Sequence, residues 1–153
     1  MSLQQQINNN LKEALKSGDS FRVGVLRMLN SSLHNREIEK KGKGQEPILN
    51  DDDVIEVLGR EAKKRKESAE IYTKGNRSDL AEKEKKELEI IRVYLPPEVN
   101  AEEIEKIVAE VVAKSETKDI QAFGKIMGEA MKQLKGRADA SLVGEMIKQK
   151  LGN

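Results

Sequence analysis

Aliphatic residues recur every three or four positions through most of this chain, and each run stops at a glycine, a proline or a residue suited to cap the next helix. This spacing limits the possible folds more than any other feature. A strand needs alternation, and a membrane-spanning helix needs about 20 consecutive apolar residues. Leu3, Ile7, Leu11, Ala14 and Leu15 form the first stripe, and Ser17-Gly18-Asp19-Ser20 breaks it while supplying a cap. Phe21, Val25, Leu26, Leu29 and Leu33 place a second helix up to about Lys40. Gly24 inside it costs about 1 kcal/mol relative to alanine, which points to close approach of another helix.

Lys41-Gly42-Lys43-Gly44-Gln45-Glu46-Pro47 reads as a turn-rich loop. Asn50 then caps a third helix whose first turn, Asp51-Asp52-Asp53, suits the positive end of the helix dipole. Its stripe is Val54/Ile55, Leu58, Ala62, Arg65, Ala69 and Tyr72, ending at Gly75. A fourth helix starts near Ser78-Asp79 and carries Leu80, Leu88, Ile91 and Leu95. Its middle, Glu82 to Glu87, is too charged to bury. Pro96-Pro97 ends it, because proline lacks the amide hydrogen and restricts the residue before it.

Beyond the prolines, Asn100 and Glu103 have capping-box spacing before Ile104, Ile107, Val108, Val111 and Val112. A sixth helix spans about Asp119 to Leu134, with Phe123, Ile126, Met127 and Ala130 on its apolar side and Gly136 as its terminal glycine. Asp139 caps the seventh, which carries Leu142, Val143, Met146, Ile147 and Leu151. The expected fold is all-α: a four-helix, bundle-like domain over residues 1–96 and a three-helix domain over 97–153.

Charged residues make up 36% of the chain and aromatics 3%, so the apolar material is aliphatic and helix-compatible. With 28 basic and 27 acidic residues the net charge is +1, so any nucleic-acid contact has to come from a local patch. The absence of cysteine excludes disulfides and thiolate metal sites. Met1-Ser2-Leu3-Gln4 lacks a signal-peptide apolar region, and a cytoplasmic location without membrane attachment is expected.

The inventory for catalysis is short. His34, the single histidine, lies beside Asn35 and Arg36 without an evident catalytic partner. Asp51 to Asp53 are consecutive on a helix and point in different directions, which favours dipole capping over cation binding. Gly42-Lys43-Gly44 is not a phosphate-binding loop of the Walker type, and no serine sits in a Gly-x-Ser-x-Gly turn. No cofactor, no metal and no catalytic residue are expected.

Basic clusters say more. Arg60, Lys63 and Lys64 share a face of the third helix, with Arg65 on its apolar stripe. A solvated face balanced by Glu56, Glu61 and Glu67 is the favoured reading, and RNA contact is the alternative. Residues 119–153 carry Lys125, Lys132, Lys135, Arg137, Lys148 and Lys150 against Asp119, Glu129, Asp139 and Glu145. Lys125 and Lys132 share a face, while Lys135 and Arg137 flank a turn whose following helix start adds a positive dipole end.

The stretch Asp119-Ile120-Gln121-Ala122-Phe123-Gly124-Lys125-Ile126-Met127-Gly128, with Leu134-Lys135-Gly136-Arg137-Ala138-Asp139, resembles the signature of the YqeY-like (GatB/YqeY) family. Val25 to Leu29, Glu61 to Ser68, Gly75 to Leu80 and Tyr94-Leu95-Pro96 match as well, so the resemblance covers essentially the whole chain. These proteins are similar to the C-terminal, tRNA-binding tail of the B subunit of glutamine-dependent tRNA amidotransferase. The resemblance implies two helical domains and a tail facing tRNA, with the transfer chemistry elsewhere in the amidotransferase. It marks Gly124, Lys125, Gly128, Lys135, Gly136, Arg137 and Asp139 as the positions to examine. Gly124 and Gly128 make a flat strip for which packing against a helix is favoured over approach by a sugar–phosphate backbone. The functional expectations are a non-catalytic accessory protein binding tRNA or other RNA, a protein–protein adaptor, or an auxiliary factor in glutamine-dependent amidotransfer. A carbon–nitrogen ligase description would rest on the family label alone.

Overall fold

A computed structural model describes residues 1–152. It is all-α, with α1 Leu3–Ser17, α2 Ser20–Gly42, α3 Asp51–Lys74, α4 Ser78–Arg92, α5 Ala101–Lys114, a 3₁₀ turn Ile120–Ala122, α6 Phe123–Leu134 and α7 Ala140–Gly152. No strand occurs among the described residues. The chain forms two compact units, Met1–Leu95 and Pro96–Asn153.

In the first unit the caps fix where helices begin. Ser2 and Gln5 form a reciprocal capping box, with Gln5 N–H donating to Ser2 Oγ at 3.2 Å and Ser2 N–H to Gln5 Oε1 at 2.9 Å. Gly18, at φ 74, ends α1 in the left-handed region. Asp19 then accepts from Arg22 N–H at 3.0 Å to start α2. Asn50 and Asp53 make the same reciprocal box at α3. Two of the three aspartates here act as ties as well: Asp51 Oδ1 accepts from Leu3 N–H at 2.9 Å, and Asp53 meets Lys40 Nζ at 2.9 Å.

Ile7, Leu26, Leu29, Leu33, Val54, Leu58 and Ile91 form the centre of this unit. Each fully buried aliphatic side chain contributes about 1.5–3 kcal/mol. The fourth helix ends at Arg92, short of Leu95 and the prolines expected to stop it, and Tyr94 just beyond is buried, its hydroxyl accepting from Asn10 Nδ2 at 2.6 Å. The loop after α2 is better held than its composition implies. Leu49 is buried, and Lys40 Nζ donates to the Ile48 carbonyl at 2.8 Å. The helix-approach expectation at Gly24 is not met: the residue is exposed, and an added Cβ would touch nothing within 4 Å.

The second unit closes over Ile104, Val108, Ile126, Ala130, Leu134, Val143 and Ile147. Only half of the expected capping box forms at α5, where Glu103 N–H donates to Asn100 Oδ1 at 2.9 Å. The sixth helix begins later than its spacing implied. The Asp119 carboxylate accepts from Gln121 and Ala122 N–H, winding residues 120–122 into a 3₁₀ turn before α6. Gly136, at φ 73, reverses the chain after α6. Asp139 caps α7, its Oδ1 accepting from Ser141 N–H at 2.9 Å.

Candidate nucleic-acid interface

Helix α6 turns Ile126, Ala130 and Leu134 inward, which decides what its outer face presents. At about 100° per residue, Gly124, Gly128, Lys132 and Lys125 fall within about 100° of arc on that outer face, and all four are exposed. An added Cβ at Gly124 or Gly128 would meet nothing within 4 Å. The helix-packing expectation for this pair is therefore not met within the chain, because no neighbouring helix approaches their bare backbone. Gly128, inside the helix, still costs it about 1 kcal/mol relative to alanine.

The glycine that does serve packing was not singled out from sequence. Gly144 on α7 is buried, and a Cβ there would stand 3.6 Å from Phe123 Cζ and 3.9 Å from Met127 Sδ. Its place between Val143 and Ile147, both buried, was the available signal. Lys148 Nζ lies 5.4 Å from the centre of the Phe123 ring, within cation–π range.

The lysines on the outer face differ in their surroundings. Lys125 is exposed and makes no ion pair among the described residues. Lys132 Nζ meets Glu129 Oε1 at 3.0 Å with both side chains exposed, a pairing easily exchanged for another anion. Lys135 and Arg137 follow on the α6–α7 turn, Lys135 exposed and Arg137 half-buried. The start of α7 is less open to an anion than its position implied, since the Asp139 carboxylate already accepts from Ser141 N–H.

Three basic residues of α3, Arg60, Lys64 and Arg65, are held by carboxylates of the same unit. Arg60 meets Glu56 at 2.6 Å, Lys64 meets Glu61 at 3.1 Å, and Lys63 is also engaged. Arg65 pairs with Glu61 and, at 3.3 Å, with Glu87 on α4. Glu61, assigned to a solvated face by its spacing, is 8% exposed. Ser32 Oγ on α2 also donates to it at 3.3 Å. Burial pushes the Glu61 carboxyl up, and hydrogen bonds from Lys64 and Arg65 outweigh this and hold it below its ordinary value. Nearby, hydrogen bonds from Lys43 and then Arg36 lower Glu39 to about 2. A shallow cavity of about 210 Å³ lies over this network, lined by Arg36, Arg60, Glu61 and Lys64 among others.

No group of three or more His, Cys, Asp or Glu residues able to hold a metal ion occurs among the described residues. Nor is any described helix long and apolar enough to cross a membrane.

An uncharacterized protein of Schizosaccharomyces pombe is 36% identical over 95 residues, covering 62% of this chain and 73% of that protein. Altered inheritance of mitochondria protein 41, mitochondrial, of Lachancea thermotolerans is 35% identical over 89 residues. That match covers 58% of this chain and 46% of the relative, so the chain spans less than half of that protein. A glutamyl-tRNA(Gln) amidotransferase subunit of Sulfurisphaera tokodaii is 41% identical over 68 residues, 42% of this chain and 10% of that relative. The family model described as Yqey-like protein matches residues 4–151, and the chain belongs to that family.

Proposed function

We propose that this chain is a non-catalytic accessory protein that binds tRNA or another RNA through the outer face of α6 and the α6–α7 turn. The observation that carries the reading is the open pair Gly124 and Gly128 beside Lys125 and Lys132. Bare backbone admits close approach of a polymer, and ammonium groups beside it supply phosphate contacts. Lys135 and Arg137 extend the positive surface along the turn. Likeness to an amidotransferase component whose name includes a tRNA supports this choice of ligand. Arg60, Lys63 and Lys64 have partners, as Lys132 and Lys135 do, and rank second because no open glycine pair lies beside them. A role as auxiliary factor in glutamine-dependent amidotransfer rests on the same likeness.

A protein-adaptor role draws on a different observation, the exposed aliphatic residues Ile71 and Val93 of the first unit, 67% and 72% exposed. A cytoplasmic location is kept as part of the proposal. The fungal relative's name is mitochondrial, and cell fractionation decides between the two.

Titration of labelled tRNA at two salt concentrations tests the RNA reading. Phosphate contacts give an affinity that falls with salt by roughly 0.7–0.9 log units per contact per log unit of salt. The Lys125→Ala/Lys135→Ala/Arg137→Ala variant is expected to lose about two of those slope units. Absence of wild-type binding at low salt, or equal binding by the variant, rejects the reading.

A further inference from the structure

Backbone bonds tie the turn that carries Lys135 and Arg137 to its surroundings. Lys135 N–H donates to the Met131 carbonyl at 2.9 Å, and Arg137 and Ala138 N–H both donate to the Leu134 carbonyl, at 2.8 and 3.1 Å. All three are local. They tie the turn to the end of α6, with Gly136 in the left-handed region between the two basic residues. One bond comes from far away in sequence: Val99 N–H donates to the Arg137 carbonyl at 2.8 Å. Val99 lies in the short non-helical segment after Pro96-Pro97, and its side chain is buried in the core of the second unit.

We infer that Val99 is a positioning residue for the basic turn, so that the segment after the double proline sets the turn's competence for RNA. This rests on the RNA reading above. Without the Val99 bond, the Arg137 carbonyl loses its tether to the segment after the prolines, while Arg137 and Ala138 N–H still hold the turn to the Leu134 carbonyl. Arg137 is then held less firmly against that segment, and RNA binding bears the cost of fixing it. Arg137 N–H is not the group held from afar. The brace acts on its carbonyl, so the guanidinium stays available to a ligand while its backbone is fixed.

Linkage makes the idea testable on the unaltered protein. If the brace favours binding, binding must favour the brace by the same factor. Amide hydrogen exchange of Val99 in the full-length chain is measured with and without saturating tRNA. Protection is expected to rise about fivefold, the size of one modest hydrogen bond. A second arm uses Val99→Pro, which removes the donor, and Val99→Ala, which keeps it and removes packing. Val99→Pro is expected to weaken tRNA binding about fivefold in the wild-type background and not at all when Lys135 and Arg137 are both alanine. Val99→Ala should bind like the wild type.

Equal losses in both backgrounds would mean general loosening of the unit and overturn the inference. So would unchanged Val99 exchange on binding, a result that remains available if Val99→Pro fails to fold. If the wild type binds no tRNA, the RNA reading fails and this inference falls with it. Binding that is insensitive to Val99 removes the brace alone.

Discussion

In α3, Arg60 faces Glu56 four residues earlier, Lys64 faces Glu61 three residues earlier, and Arg65 bridges Glu61 to Glu87 of the next helix. In α6, Lys125 has no ionic partner among the described residues, and Lys132 shares an exposed Glu129 beside a glycine face. Both helices present basic clusters in sequence. The difference lies in Arg65 of α3, which has carboxylates one helical turn away and also across a helix–helix contact, where burial strengthens both pairings. Positive charge that is matched inside the fold holds helices together. Charge beside open backbone remains available to an outside anion.

The largest effect expected from this contrast is on stability. Glu61→Ala leaves Arg65, Lys64 and Ser32 facing a lost acceptor, and should destabilise the first unit by about 3 kcal/mol. Glu61→Gln, which keeps an acceptor, should cost less. Urea unfolding followed by hydrogen exchange at Leu58 and Val108 separates the two units, and only Leu58 should lose protection. A loss at both positions would mean that the units do not unfold separately.

The next largest effect separates the two clusters as ligand contacts. At about 0.1 M salt, removing Lys125, Lys135 and Arg137 together should weaken tRNA binding about 100-fold. The matched Arg60→Ala/Lys63→Ala/Lys64→Ala variant should change it by less than about twofold. Comparable losses in both variants would erase the distinction between the helices.

Acid gives a more gradual test. Glu39, Asp53 and Glu61 have lowered carboxyl values: Glu39 through Lys43 and Arg36, Asp53 chiefly through Lys40, and Glu61 through Lys64 and Arg65 against its burial. The unfolded chain therefore takes up protons at these sites before the folded one does. Their stabilisation is complete above the ordinary carboxylate range and is lost as pH falls through it toward about 2, the folded value of Glu39. Melting temperature across that window, with Glu39→Gln/Glu61→Gln as reference, should show the wild type losing its advantage as pH falls. A constant difference would contradict the assignment.

Helix ends were the most legible part of the sequence. Ser17 to Asp19 and Asn50 act through their own backbone chemistry, and neighbours matter little there, whereas α4 ends at Arg92, before the prolines expected to stop it. What residues beyond the helix do was not legible. A wheel could show that Glu61 and Arg65 are one turn apart, but not that Ser32 of α2 and Glu87 of α4 arrive beside them. Gly24, Gly124, Gly128 and Gly144 look alike as letters inside helices, yet only Gly144 meets a neighbouring helix. For the candidate site, the shared face of Lys125 and Lys132 followed from their spacing. The emptiness above the glycines required coordinates.

That emptiness gives the smallest stability effect and the sharpest functional one. Replacing Gly124 and Gly128 by alanine should stabilise the second unit by up to about 1 kcal/mol each, since a methyl group there meets nothing and alanine favours the helix. The decisive measurement is the tRNA affinity of Gly124→Ala/Gly128→Ala, taken beside its melting temperature. A face that receives RNA backbone should give weaker binding, by about tenfold or one hydrogen-bond-sized contact, in a protein that melts higher. Unchanged affinity in a protein that melts higher would mean that RNA does not approach this face.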